Sequence, residues 1–261
     1  MQVTVLTDNH AGGKFGAEHG LSYWIDYDGF KLLLDAGHSR LYLENANLLN
    51  IDVQQQADAV VLTHGHWDHG DGLRYISGKP LFTHPASFMK RYRQKDHSYI
   101  GLDLSEKTIG EQFELHTSKQ PVELVKGLWF LGEVPRTLPF DTAETTFEDS
   151  AGTPDYVPDD SGVAAIVNGS LVVISGCAHA GICNTVLHAQ RVTGINSVKA
   201  VMGGTHLKKN DQRLKETIEW LKTQDVEQVL PSHCTELPAL AAFYQAFESP
   251  QLATGQTWDF T

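Results

Sequence analysis

The segment Thr63-His64-Gly65-His66-Trp67-Asp68-His69-Gly70 constrains this chain more than any other. It places three imidazoles and a carboxylate within six residues, directly after the short apolar run at 57–62 (ADAVVL). An apolar run of that length, stopped by a polar and Gly-punctuated stretch, reads as a buried strand ending in a loop. Loops at strand ends are where layered α/β proteins place their chemistry. In such a turn the side chains cannot all point one way, so the motif can serve two ions. His64 and His66 would hold one, and Asp68 and His69 the other. Imidazole with carboxylate suits zinc, and also manganese or iron. A surface loop with chance histidines would not combine this density with a strand end.

The rest of the chain repeats the arrangement. Residues 2–7, 21–27 and 30–35 read as strands, the last two joined by the hairpin turn Asp28-Gly29. A helix is expected over 39–50 and a strand over 80–83. In the second half, strands at 162–167 and 171–174 flank Asn168-Gly169, followed by a helix at 183–193, a strand at 198–202, a helix at 211–223 and a strand at 226–230. Four strands therefore end in a His-bearing turn, after Leu62, Ile174, Met202 and Leu230. The recurrence predicts one shared site, and the element order predicts two similar β/α halves packed face to face within a single domain over 1–261. The stretch 133–161, rich in Pro, Thr, Asp and Glu, reads as an irregular loop excursion over the site, either ordered or a mobile lid.

Composition narrows the partners. A net charge of −12 disfavours nucleic acid and anionic membrane, but not an anionic small substrate, because bound dications invert the local field. The three cysteines, Cys177, Cys183 and Cys234, form no CxxC pair, which argues against a disulfide framework and for a reducing compartment. The N-terminus MQVTVLTDNH lacks the charged and apolar regions of a signal peptide, and no apolar run reaches the length of a membrane span. A cytoplasmic protein acting on a small molecule is expected; the oligomeric state is not written in the sequence. Gly12-Gly13-Lys14 lacks phosphate-loop spacing, and there is no GxSxG elbow.

HxHxDH after a short apolar strand resembles the signature of the metallo-β-lactamase superfamily, which includes glyoxalase II, lactonases, RNA-processing nucleases and phosphodiesterases. Further segments resemble the branch related to the archaeal 7,8-dihydropterin-6-methyl-4-(β-D-ribofuranosyl)-aminobenzene-5'-phosphate synthases. They are Glu18-His19-Gly20-Leu21-Ser22, Val134-Pro135-Arg136, Ser175-Gly176-Cys177-Ala178-His179-Ala180-Gly181, Gly203-Gly204-Thr205-His206-Leu207 and Pro231-Ser232-His233-Cys234-Thr235. The resemblance implies an α/β (α+β) fold, a four-layer αββα sandwich with its metals at one edge of two sheets. It also implies that His179 joins His64 and His66, and that His233 joins Asp68 and His69. Cys177 departs from the pattern, standing where most members carry an Asp that bridges both metals. A thiolate ligand and a packed, inert thiol are both compatible with it. Asp160 stands where many members place a third His, and a ligand or a loop cap would suit it.

The function implied is a metal-dependent hydrolase. Two divalent ions lower the pKa of a bound water and hold the resulting hydroxide against phosphorus or a carbonyl carbon. Asp68 would be ligand and orienting group. His206 is the acid/base candidate, with orientation of a ligand as its alternative role. Arg136 is a candidate anion clamp, or a solvated loop arginine. His84 suits a backbone-satisfying role and Trp67 a packing wedge. The branch points to a small phosphate ester or phosphodiester. Two other functions stay open. One is a pterin-linked synthase with a pyrophosphate leaving group. The other is a non-catalytic metal-binding or sensor module, which the complete HxHxDH argues against.

Overall fold

Two tight hairpins organise the computed structural model, which describes residues 1–141 and 145–261. Asp28 and Gly29 have φ of 50° and 93°, and Asn168 and Gly169 have φ of 50° and 81°. Two consecutive residues at positive φ match the right-handed twist of flanking strands, and Asp-Gly and Asn-Gly tolerate that conformation best. The turns fix the register: Tyr27 faces Phe30, and Val167 faces Ser170.

The chain divides into two compact units, each drawing on separated stretches of sequence. The first holds residues 1–119, 145–159 and 253–259 of those described. Its main sheet has seven strands, in the order Thr257–Asp259, Gln2–Thr7, Ser22–Tyr27, Phe30–Leu34, Ala59–Val61, Pro80–Thr83, Glu114–Thr117. Pairing is antiparallel through the hairpin and parallel from Phe30–Leu34 onward. Leu6, Trp24, Leu33, Val60, Leu62 and Leu81 pack with Tyr42 and Ala46 of the helix Leu41–Leu48 and with Ile109 of the helix Glu106–Gln112. The alternate positions Val3, Val5, Tyr23, Ile25, Leu32 and Leu34 are equally buried, so the sheet is covered on both faces.

The second unit holds residues 120–141, 160–252 and 260–261 of those described. Its six strands run in the order Gln228–Ser232, Val198–Gly204, Ser170–Ser175, Gly162–Val167, Leu128–Phe130, Val122–Val125. The first three are mutually parallel, so their C-terminal ends lie side by side, with Ser175 beside Gly203 and Gly204 beside Ser232. Ala164, Leu171, Val173, Val201 and Val229 pack against the helices Ile182–Thr193, Gln212–Thr223 and Leu237–Phe247. The helix Gln212–Thr223 buries Leu214, Ile218 and Leu221 at helical spacing, and Asp211 caps it by accepting from Leu214 N at 3.1 Å. Among the described residues no helix is long and apolar enough to cross a membrane.

The expected elements sit within one or two residues of their observed bounds. The sequence pattern sets no element over 53–56 or 84–132, where the structure has the helices Val53–Gln56 and Glu106–Gln112 and the strands Arg91–Arg93, Glu114–Thr117, Val122–Val125 and Leu128–Phe130; three further features also escape it. The helix Leu237–Phe247 has Pro238 in its first turn, but Glu236 at its N-cap makes no side-chain capping bond, so the start signal is incomplete. The strand Thr257–Asp259 is three residues long and exists through its pairing with Gln2–Thr7. The stretch 133–161 is less irregular than its composition suggests. Phe147–Asp149 pairs with Arg91–Arg93 and with Pro154–Asp155 in a three-stranded sheet, and Pro139–Asp141 forms a 3-10 turn. Residues 142–144 lie outside the described part of that stretch.

That 3-10 turn supplies a cap from a distance. Gly181, at the start of the helix Ile182–Thr193, has no side chain to offer; Asp141 Oδ2 accepts from Asn184 N at 2.8 Å instead. A Cβ on Gly181 would lie 2.1 Å from the same carboxylate, so only Gly fits. Asn184 returns the contact, its Oδ1 accepting from Thr137 N and Leu138 N at 2.9 Å each. Burial raises the Asp141 carboxyl from the ordinary 3.8 to about 6, and the Asn184 amide and Arg213 reverse only part of the shift. The folded pKa lies above the unfolded one. The stabilisation is therefore complete below about pH 4 and is lost as pH rises through about 6. Asp141→Asn keeps the acceptor and removes the ionisation. Urea denaturation should show the variant gaining on the wild type between about pH 4 and 7, by a few kcal/mol at most, with a flatter pH profile.

Candidate metal centre

The first unit carries the HxHxDH motif on the end of the strand Ala59–Val61. The parallel neighbour Phe30–Leu34 ends in Asp35, which is fully buried and has φ of 56°. Its carboxylate accepts from Thr63 N and Thr63 Oγ1, both at 2.8 Å, and lies 2.7 Å from His69 Nδ1. This pairing puts the His69 proton on Nδ1 and leaves Nε2 as the lone-pair nitrogen. A carboxylate behind an imidazole in this way fixes the ring and raises its basicity as a ligand. Asp35 escaped the sequence reading; the available signal was a carboxylate that closes the apolar run FKLLL, just as Thr63 closes ADAVVL.

His64 and His66 face each other, Nε2 to Nδ1 at 3.0 Å, and the His64 ring also lies 4.2 Å from that of His69. His64 is held well below the usual imidazole range by burial and by His69 and His66. His66 is pushed down to about 3 by burial and by Arg91. Both rings are therefore neutral at physiological pH, the state in which imidazole binds a metal. Asp68 and His69 lie in the short helix Trp67–Gly70, and Asp68 Oδ2 pairs with His19 Nε2 at 3.1 Å. Trp67 packs edge-on against His38 at 4.6 Å and tilted against His19 at 5.6 Å, the contacts of a wedge. His84 caps the turn Pro85–Phe88 by accepting from Ala86 N at 3.0 Å.

A buried ion pair holds the motif in place. Gly65 N donates to Asp159 Oδ2 at 2.6 Å, and a Cβ on Gly65 would lie 1.7 Å from the Ser87 carbonyl oxygen. Asp159 is gripped by both Arg91 Nη atoms, at 3.0 and 2.7 Å, while Arg91 Nε lies 3.0 Å from Asp155 Oδ2. Arg91 is fully buried. Burial works against its charge, yet the two carboxylates keep its pKa above the ordinary arginine value. Burial likewise opposes Asp159, but Arg91 and the Gly65 amide hold it below the usual carboxylate range.

The second unit brings together three of the four His-bearing strand ends. His179, His206 and His233 leave adjacent parallel strands at the same sheet edge. The rings of His179 and His206 lie 4.3 Å apart. Ala178, His206 and His233 all have φ near +50°, a conformation uncommon outside glycine that clusters at functional sites. Glycine permits the close approach: a Cβ on Gly203 would lie 2.1 Å from Ser175 O, and one on Gly204 2.3 Å from Gly176 O. Thr205 and Thr235 tie two of the turns through their hydroxyls at 2.9 Å.

Asp160 Oδ2 accepts from Ala180 N at 2.8 Å, so it holds the turn that carries His179. Arg136 Nη1 donates to the His179 carbonyl at 2.6 Å and supports the same turn. Cys177 is buried, and Cys234, to which the sequence reading gave no role, lies close to it. Cys234 Sγ accepts from His206 N at 3.3 Å and lies 3.6 Å from the Cys177 carbonyl oxygen. Burial opposes ionisation of the Cys234 thiol, but Cys177, His206 and His233 hold it well below the usual thiol range. His206, the acid/base candidate, thus has a ring nitrogen close to two sulfurs, the surroundings of a ligand.

The family model of the metallo-β-lactamase superfamily matches residues 15–184. A solved structure described as a metal-dependent hydrolase of the β-lactamase superfamily superposes with a TM-score of 0.87 at 28% identity, covering 100% of this chain and 99% of that one. The chain belongs to the metallo-β-lactamase superfamily and has its fold. Within it the chain is similar to two proteins of Methanocaldococcus jannaschii. One is the 7,8-dihydropterin-6-methyl-4-(beta-D-ribofuranosyl)-aminobenzene-5'-phosphate synthase, 31% identical over 272 residues, covering 95% of this chain and 92% of the relative. The other is an uncharacterised protein, 33% identical over 253 residues, covering 93% and 94%.

Two substitutions probe the first unit. Asp35→Ala should weaken metal binding by about 10- to 100-fold, as loss of an orienting carboxylate does elsewhere, and competition with a chromophoric chelator reads it directly. Arg91→Met leaves Asp155 and Asp159 buried without their counter-charge. It should cost about 3–5 kcal/mol in urea denaturation, the range for breaking one side of a buried pair.

Proposed function

We propose that the chain is a metal-dependent hydrolase of small phosphate esters or phosphodiesters. In this reading two divalent ions are held by His64, His66, Asp68, His69, His179 and His233. The observation that carries it is the state of the imidazoles in the first unit. His64 and His66 are buried and uncharged, and His69 is turned by Asp35 so that its Nε2 lone pair is available. Imidazoles oriented in this way beside a carboxylate are a donor set suited to a divalent cation. Adding His179 and His233 to the set rests on the resemblance of their segments to the superfamily pattern. Zinc fits nitrogen and oxygen donors well, as do manganese and iron.

Bound divalent ions supply Lewis acidity and bring the pKa of water toward neutrality. The chain's own residues prepare the site. Asp35 fixes the His69 tautomer, and the Arg91–Asp159 pair fixes the Gly65 amide between the two ligand histidines. Asp68, paired with His19, is positioned to serve as ligand and to orient an attacking water. The preference for phosphorus rests on the phosphorylated compound in the relative's name. That relative also supports a second reading, a transferase that joins an arylamine to a pterin-linked carbon with pyrophosphate leaving.

Metal analysis of the full chain, reconstituted separately with Zn²⁺, Mn²⁺ and Fe²⁺, tests the reading. About two ions per chain are expected, and His64→Ala or His66→Ala should lose about one of them. Metal-dependent cleavage of bis(p-nitrophenyl) phosphate, collapsing in the same variants, is the expected activity. A chain that stays metal-free after all three reconstitutions would overturn the proposal. Turnover of a lactone or thioester without phosphodiester cleavage would move the substrate to acyl esters. Pyrophosphate release that requires an added arylamine would select the transferase.

A further inference from the structure

The second unit holds a donor set different in kind from the histidines and carboxylate of HxHxDH. Cys177 Sγ, Cys234 Sγ and a ring nitrogen of His206 all lie within 4.8 Å of one another. We propose that these three side chains form a sulfur-rich position for a zinc-class ion, with a fourth coordination position left for water or substrate. Tetrahedral zinc, with Zn–S near 2.3 Å and Zn–N near 2.0 Å, sets its donors roughly 3.5–3.8 Å apart, so the trio closes on an ion with small side-chain movements.

The backbone is built around this cluster. Gly204 ends the strand Val198–Gly204, and a Cβ there would lie 2.7 Å from Cys234 Sγ and 3.1 Å from Cys177 Cα. Any side chain at 204 would occupy the space of the sulfur. Gly203 lies at φ of 114° and His206 at φ of 51°, so the turn between them bends through two unusual conformations before presenting the imidazole. The His206 amide donates to Cys234 Sγ at 3.3 Å, the kind of N–H contact that stabilises a metal-bound thiolate. Cys183 marks the contrast. It is packed in the helix Ile182–Thr193 with its sulfur 3.9 Å from the Thr217 carbonyl oxygen, and burial raises its thiol pKa. Soft thiolates select zinc, cadmium or monovalent copper, while imidazole–carboxylate sets also accept manganese and iron. The assignment makes Cys177 a ligand of this position and gives His206 the role of ligand.

Titration of the reduced, metal-free full chain with Co²⁺ under nitrogen tests it, through the thiolate-to-cobalt charge-transfer absorption in the near ultraviolet. That absorption should appear in the wild type and in Cys183→Ser. It should fall by about half in Cys177→Ser and in Cys234→Ser, because one of two thiolate ligands is lost, and vanish in the double variant. It should persist in His64→Ala, which keeps this result separate from the fate of the hydrolase reading. Cys234→Ala, with far-ultraviolet circular dichroism as the folding control, guards against a serine hydroxyl standing in as ligand. No thiolate absorption at saturating Co²⁺ would overturn the proposal. So would absorption unchanged in Cys234→Ser but abolished in His64→Ala, since Cys177 would then serve the HxHxDH set alone. A Cys177–Cys234 linked peptide recovered from the chain as purified under nitrogen, and released by a thiol reductant, would overturn it in favour of a disulfide.

Discussion

Asp35 is the hinge of the first unit. Two parallel strands, Phe30–Leu34 and Ala59–Val61, end beside each other, and a buried carboxylate there must find donors or cost several kcal/mol. Asp35 finds them in the amide and hydroxyl of Thr63 and in Nδ1 of His69. One side chain thereby fixes where the HxHxDH turn begins and how its last histidine is oriented. At the middle of the turn the buried Arg91, through Asp159, holds the Gly65 amide. The motif is thus pinned at both of these points by charges the solvent does not reach, and the ligand geometry can be rigid although the motif is a loop.

The second unit reaches a comparable result by a different device. Three parallel strands in register end together, so turns separated by 57 residues in sequence become neighbours. Glycine at 203 and 204 lets the backbones approach within distances that any Cβ would forbid. His206 and His233 then leave the sheet in left-handed backbone conformations that end the extended strand path. Such local strain persists because the strands that carry these turns are buried, and Val198–Gly204 is paired on both sides.

The electrostatics follow from these two frames. Burial alone would neutralise every ionisable group near the site, and it does so for His64 and His66. Groups that keep their charge do so through specific partners, as Arg91 and Asp159 do with each other. The Cys234 thiol is held low by its neighbours, while Cys183, without such neighbours, is driven up. The chain thus presents nitrogen and oxygen donors in one unit and adds sulfur in the other, donor types that differ in the ions they suit.

Local pattern was enough to read both hairpins, the strands and helices that lead into the His-bearing turns, and the HxHxDH cluster as a candidate donor set. Those features depend on residues adjacent in sequence: an apolar run, an Asp-Gly or Asn-Gly pair, a dense cluster of imidazoles. The superfamily was legible for the same reason, since its signature lies within six residues. Asp35, Arg91, Asp155, Asp141 and Cys234 were not legible. Asp35 meets His69 across 34 residues, Arg91 meets Asp159 across 68, and Asp159 meets Gly65 across 94. Nothing local distinguishes these from solvated charges or an ordinary packed thiol. Strand register and burial alone decide that a carboxylate becomes an orienting group, that an arginine becomes a buried clamp, and that two distant cysteines come within reach of one histidine.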